Sequence, residues 1–215
     1  MSKAFVITRA QYRGARRAVA DGIRRAGQSL STMVGREISM GNPAIKVVPL
    51  RNVPGLAGGP EAIVAAAYLG ISGDVAAHMV LCFDLPSAHK LVGFLLEKDP
   101  GDLNALEFDF MSRSALSETS NVTCSSLLNA LSDHSGLVIR PSIPVLVVDM
   151  AGAILSAVLA ELGPAGDEAM VIETVFGQAG EAVNGHLFLL PSPEALETII
   201  SHLGANASCL TESSR

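Results

Sequence analysis

A hydroxyl, a carboxylate and a carboxamide stand at Ser114, Glu118 and Asn121, spaced i, i+4 and i+7. At about 100° per residue, these three fall within an arc of about 60° on one helix face. Ser125 and Ser132 extend the stripe. Leu116, Leu127 and Leu131 lie on the far side, where a core would take them. Such a set could do polar chemistry on a docked group. It could equally be a solvated face, since exposed Ser, Glu and Asn are ordinary on helices. Asn is a poor helix former, so its place in mid-helix calls for a reason. Ser114 is also placed to cap a helix start. Spacing alone leaves these readings open.

Other chemistries lack their residues. The five histidines show no ligand spacing, and no HExxH, Walker loop or GxSxG occurs. His78 and His186 occupy what look like equivalent hairpin positions and read as structural. Asp149 reads as a helix cap. Cys82, Cys124 and Cys209 form an odd set without CxxC spacing, so free thiols in a reducing, cytoplasmic compartment are expected. The opening MSKAFVITRAQ has too short an apolar stretch for a signal peptide. Residues 144–163 are long enough to span a membrane, but Asp149 and Glu161 interrupt them, so a buried strand and helix are expected instead of membrane insertion. A net charge of -6 argues against nucleic acid as a partner.

These residues need elements to hold them. The chain has 215 residues, 49% hydrophobic and only 4% aromatic, which suits one domain with an aliphatic core. Ala15, Val19, Ile23, Ala26 and Leu30 predict a helix over 10–34, stopped at Gly35. An apolar run at 45–50 and a Pro/Gly-rich loop at 54–60 follow. Strands are then expected at 63–71 and 78–83 around Gly73-Asp74, and a helix from Pro86 to Leu96. The second half reads alike: a helix at 113–134 before Gly136, a strand at 144–148, an extra helix at 151–162, strands at 170–178 and 186–190 around Gly180, and a helix at 193–203. Leu30-Ser31 and Gly35 recur as Leu131-Ser132 and Gly136. The expectation is an α+β fold with a mainly antiparallel sheet and pseudo-twofold duplication: repeat one at about 10–98, repeat two at about 111–204, and a short tail at 205–215.

The pattern Ser114-x3-Glu118-x2-Asn121-x22-Pro144 resembles the signature of the CheC/CheX/FliY family of chemotaxis phosphatases. So do the surrounding stretches SALSETSNVTCSSLLNALSDHSGL, PSIPVLVVDMAGAIL and GHLFLLP, and VVPLRNVPGLAGGPEAIVAAAYLGISGDVAAH in the first half. The similarity runs from about Tyr12 to Gly204. It implies a hydrolase of the two-component signalling system that removes the aspartyl phosphate of a CheY-like response regulator. In that role Asn121 would orient the attacking water, and Glu118 would grip a regulator lysine. A carboxamide suits the task because it accepts from water, donates to a nearby oxygen, and does not repel an anion. Ser114 would be a rim contact or cap, and Pro144 would set the entry to a strand. No cofactor is expected on this chain, with magnesium held by the regulator. The receptor deamidase CheD is implied as a possible partner, and a non-catalytic adaptor is the alternative reading. FliY carries a further C-terminal domain and CheX is shorter, so a two-repeat length favours CheC.

At the repeat offset of 101, Ser114, Glu118, Asn121 and Pro144 correspond to Arg13, Arg17, Ala20 and Pro43. The first half is therefore expected to be a degenerate counterpart, with its proline kept and its polar pair lost. Arg13, Arg17 and Arg24 share one face, with Arg16 and Arg25 beside it. A solvated face and a protein- or anion-binding role both remain open there.

Overall fold

The structure is a computed structural model that describes residues 7–41, 43–162, 168–178 and 181–212. Thr8 opens α1 (Arg9–Val34) through a reciprocal capping box with Gln11, and Gly35 ends it at φ 75° in the left-handed region. A short strand β1 (Ser39–Met40), β2 (Ala44–Pro49), a 3-10 turn and the one-turn helix α2 (Val53–Leu56) follow. The stretch expected as a loop at 54–60 is thus partly helical. Pro54 in its first turn suits a helix start. The hairpin β3 (Ile63–Gly73) and β4 (Ala77–Asp84) leads into α3 (Leu85–Leu96), capped by the Asp84 carboxylate.

The second half repeats this order with α4 (Phe110–Ser135), β5 (Ile139–Pro141), β6 (Val145–Met150), α5 (Ala151–Leu162), β7 (Glu168–Gln178), β8 (Glu181–Pro191) and α6 (Pro193–Glu212). α1 and α4 are each 26 residues long, and their stops at Gly35 and Gly136 share φ 75°. The stretch 144–163 resolves into β6 and α5, and no helix among the described residues is long and apolar enough to cross a membrane. Gly163 and Gly180 lie outside the described residues.

Every strand pairing is antiparallel, in one eight-stranded sheet. β4 and β8 pair at its centre. The edges are exchanged: β1 and β2 of the first half pair with β7, while β5 and β6 of the second half pair with β3. Each half therefore completes the sheet of the other.

Central strands are buried on both faces, which explains their near-continuous apolar runs. Ala65 and Leu69 of β3, Met79 and Leu81 of β4, and Leu187 and Leu189 of β8 face a core roofed by α1, α3, α4 and α6. Their neighbours Val64, Ala66, Val80, Cys82, Phe188 and Leu190 face a smaller core under α2 and α5. An apolar cavity of about 30 Å³ in that second core is far too small for a ligand site. Cys82 and Cys124 are free and buried, and burial pushes both thiols up to about 12, so neither is a nucleophile at neutral pH. The side chain of Cys209 lies outside the described residues.

Candidate functional site

α4 is seated by its ends. Asp109, not Ser114, is the N-cap: its carboxylate accepts from the Ser112 N–H at 2.7 Å. Ser114 sits a turn further in, exposed. Lys98 reaches over from beyond α3 to Asp109 at 3.0 Å and to the Ser112 hydroxyl at 2.9 Å. Hydrogen bonds from Ser112, then Lys98, hold the Asp109 carboxyl well below the usual carboxylate range. A carboxyl whose folded-state pKa is depressed stabilises the fold above its unfolded value, and loses that contribution only as pH falls through the lower folded value. Asp109→Ala should therefore lower the melting temperature at neutral pH by an amount that persists down to about pH 4 and shrinks below it. Thermal melts of both proteins across that range check this.

The buried side of α4 carries Leu116, Leu127 and Leu131, as the spacing predicted, and Leu128 beside them. It also carries polar residues that spacing did not flag. Ser120 and Ser135 are buried and return their hydroxyls to the carbonyls one turn back, at 2.7 and 2.6 Å. Thr119 and Thr123 are buried with unpartnered hydroxyls. By residue type α4 is therefore barely amphipathic.

On the other side, Ser114 and Glu118 are exposed and Asn121 is half-buried. None of the three makes a hydrogen bond or ion pair among the described residues. A carboxamide half-withdrawn from solvent beside a free carboxylate can order a water and hold a cationic group. Ser125 and Ser132 are half-buried at the end of the stripe, and Ser132 donates to the Leu137 carbonyl at 2.6 Å. Its role is to close the helix end, not to extend a polar site.

Pro144 stands directly before β6. Arg113, at the start of α4, donates to the Leu146 carbonyl of β6 at 3.3 Å, which ties the first turns of α4 to that strand. Around Pro144, Ile143 is 86% exposed and Val145 48%; on α4 itself Met111, one turn before Ser114, is 58% exposed. Large apolar side chains in such exposure mark a contact surface. The sequence signal for them was the apolar-proline alternation of Ser142-Ile143-Pro144-Val145. Asp149 is not a cap. It lies in β6 and accepts from the Met150 N–H, while the N–H groups of Ala151 and Gly152 at the start of α5 bond to the Ala62 and Pro60 carbonyls.

In the first half, Arg13, Arg17 and Ala20 are exposed on α1, and Pro43 directly precedes β2 as Pro144 precedes β6. α1 and α4 are joined at the Asp21 carboxylate, which binds Arg24 at 2.5 Å, Arg25 at 2.7 Å and His134 at 3.3 Å; Arg25 also binds Asp133 at 2.6 Å. Partial burial works against ionisation of Asp21, but the Arg24, Arg25 and His134 hydrogen bonds outweigh it and keep its pKa low. Burial lowers the pKa of both His78 and His186, so they are held neutral in the sheet, away from any ligand cluster. Among the described residues no group of three His, Cys, Asp or Glu is placed to hold a metal ion.

No protein-family model matches the chain. It is 33% identical over 186 residues to the CheY-P phosphatase CheC of Bacillus subtilis (strain 168), an alignment covering 84% of this chain and 89% of that protein. Among solved structures it superposes on Thermotoga maritima FliY with a TM-score of 0.74 at 15% identity, covering 94% of this chain and 100% of that one. The FliM–SpeE complex of H. pylori gives a TM-score of 0.69 at 13% identity, covering 94% and 98%. These two likenesses show that the fold is shared. The relationship to the B. subtilis protein goes further, in both identity and coverage, and on that ground the chain belongs to the CheC family.

Proposed function

We propose that this chain hydrolyses the aspartyl phosphate of a CheY-like response regulator, using the Glu118–Asn121 face of α4. The observation that carries this reading is the unpartnered pair itself: an exposed carboxylate and a half-buried carboxamide, one turn apart, in a chain of the CheC family. α4 docks at the regulator's phosphorylation site, and Glu118 pairs with a regulator lysine in a charge-assisted contact. The Asn121 carboxamide accepts a hydrogen bond from water and sets it in line with the phosphorus. Water oxygen bonds to phosphorus as the bond to the aspartyl oxygen breaks. The aspartate leaves as carboxylate, and a water proton stays with the inorganic phosphate. Positioning and charge placement are what such a reaction asks of a protein. This chain supplies no metal ligand in the reaction; magnesium is held by the regulator.

The exposed Met111, Ile143 and Val145 extend the contact. We read the two halves as duplicated units and the first as degenerate, since Arg17 and Ala20 occupy the positions of Glu118 and Asn121. An arginine there would repel the lysine that Glu118 attracts. The reading is tested by phosphorylating a CheY-like regulator with a small phosphodonor and magnesium, adding this protein, and following phosphate release. Glu118→Ala should raise the regulator concentration at half-maximal rate by about tenfold while changing the maximal rate much less, since an interfacial ion pair acts mainly on affinity. Absence of acceleration with CheY-like regulators overturns the phosphatase reading in favour of an adaptor that holds phosphorylated regulator or CheD.

A further inference from the structure

We propose that the face of α1 bearing Arg13, Arg17 and Arg24, with the groove it runs into, is a separate docking site for an acidic segment of a partner protein. α1 carries six arginines and one aspartate in a chain of net charge -6. Asp21 satisfies Arg24 and Arg25, the latter with help from Asp133. Arg13, Arg16 and Arg17 are exposed and have no acidic partner among the described residues. Their position is costly for the helix. They cluster in its second and third turns with no acidic residue in the first turn to offset them. Arg13 and Arg17 also repel each other at i, i+4. A face with no task beyond solvation would be better filled by residues of mixed charge, so this run of arginines works against local stability, as functional residues often do.

The stripe has a direction. Arg13, Arg17, Ala20, Arg24 and Ser31 align along one side of α1. From Ala20 onward this line forms the wall of an open groove of about 700 Å³, whose far side is the segment of Ile38, Met40 and Pro43. Glu37 lies at its edge as the one acidic side chain in the lining. Guanidinium groups in a row leading to a groove floored by small residues suit a helical or extended segment. Its carboxylates, one turn apart, would meet Arg13 and Arg17, and a short apolar side chain would enter over Ala20. A narrow arginine line leading into a groove favours a protein segment over nucleic acid or an anionic membrane, which need a broad basic surface. The proposal does not depend on the phosphatase reading.

A labelled helical peptide with glutamates at i and i+4 and leucine at i+7 provides the probe, with its glutamine counterpart, phosphatidylserine-containing vesicles and duplex DNA as parallel arms. The glutamate peptide should bind the full chain and weaken with rising salt. Arg13→Glu with Arg17→Glu should weaken it by about tenfold or more, and Ala20→Trp, which fills the groove from an exposed position, by about threefold. Asn121→Ala should leave it unchanged. A helical circular dichroism spectrum matching the wild type should show the doubly reversed chain folded, so that lost binding reports on the arginine face. No binding of the glutamate peptide, binding indifferent to either α1 change, or tighter binding of vesicles or DNA would each overturn the proposal.

Discussion

Asn121→Ala is expected to reduce the acceleration of phosphate release by at least about 10²-fold, near 2.7 kcal/mol of transition-state stabilisation, while the chain stays folded and still binds phosphorylated regulator. Asn121 has no hydrogen bond to lose among the described residues and sits outside the packed leucine side of α4. Alanine is the better helix former, so stability should hold or rise. Asn121→Asp should be as inactive, for a different reason: a carboxylate at that point faces the anionic phosphoryl group. Glu118→Ala separates the two roles, because it should act on affinity. Single-turnover phosphate release at saturating regulator checks the difference. A rate for Asn121→Ala within about threefold of the wild type removes Asn121 from the water-orienting role.

What the sequence made legible was local. The i, i+4, i+7 spacing of Ser114, Glu118 and Asn121 placed them on α4, and Gly35 and Gly136 marked both long helices' ends because only a left-handed residue closes them there. Apolar runs on either side of Gly73-Asp74 marked the first hairpin. Caps were misplaced at Ser114 and Asp149 because a capping residue is recognised by where its carboxylate finds N–H groups. At Asp109 they lie three residues on, while at α5 they go to carbonyls of the loop before β3. The exchange of edge strands between halves was invisible, since β2 with β7 and β6 with β3 are pairings more than about 75 residues apart in the chain. Buried Thr119 and Thr123 were also hidden: residue type says polar, and only packing says which face each occupies.

The same limit bears on glycine inside helices, where sequence suggests weakness and packing can demand it. Gly14→Ala should destabilise the chain by about 3 kcal/mol, a fall of roughly 6–12 °C in melting temperature, although alanine is favoured over glycine in a helix by about 1 kcal/mol. A Cβ at Gly14 would stand 2.1 Å from the Leu203 carbonyl oxygen and 2.7 Å from its carbon. Both are backbone atoms of α6, so no rotamer change relieves the overlap. The contact is mutual: a Cβ at Gly204 would lie 2.6 Å from Gln11 Cγ and 3.2 Å from its Cα. Gln11 is the residue whose side chain closes the α1 capping box, so parting the helices also strains that cap. Eight residues on, a Cβ at Gly22 would stand 2.7 Å from Leu127 Cα, which sets α1 directly against the helix bearing Glu118 and Asn121. α1 is thus clamped between α6 and α4 by two glycines, and widening one clamp should disturb the seat of α4 as well. Gly55→Ala is the matched comparison: it lies in α2 with nothing within 4 Å of its added Cβ, so it should leave stability unchanged or slightly raised. Thermal melts of the two variants under one condition decide the matter. If Gly14→Ala melts with the wild type, α1 and α6 can part without cost, and their backbone contact does not seat the helix layer that carries the α4 site.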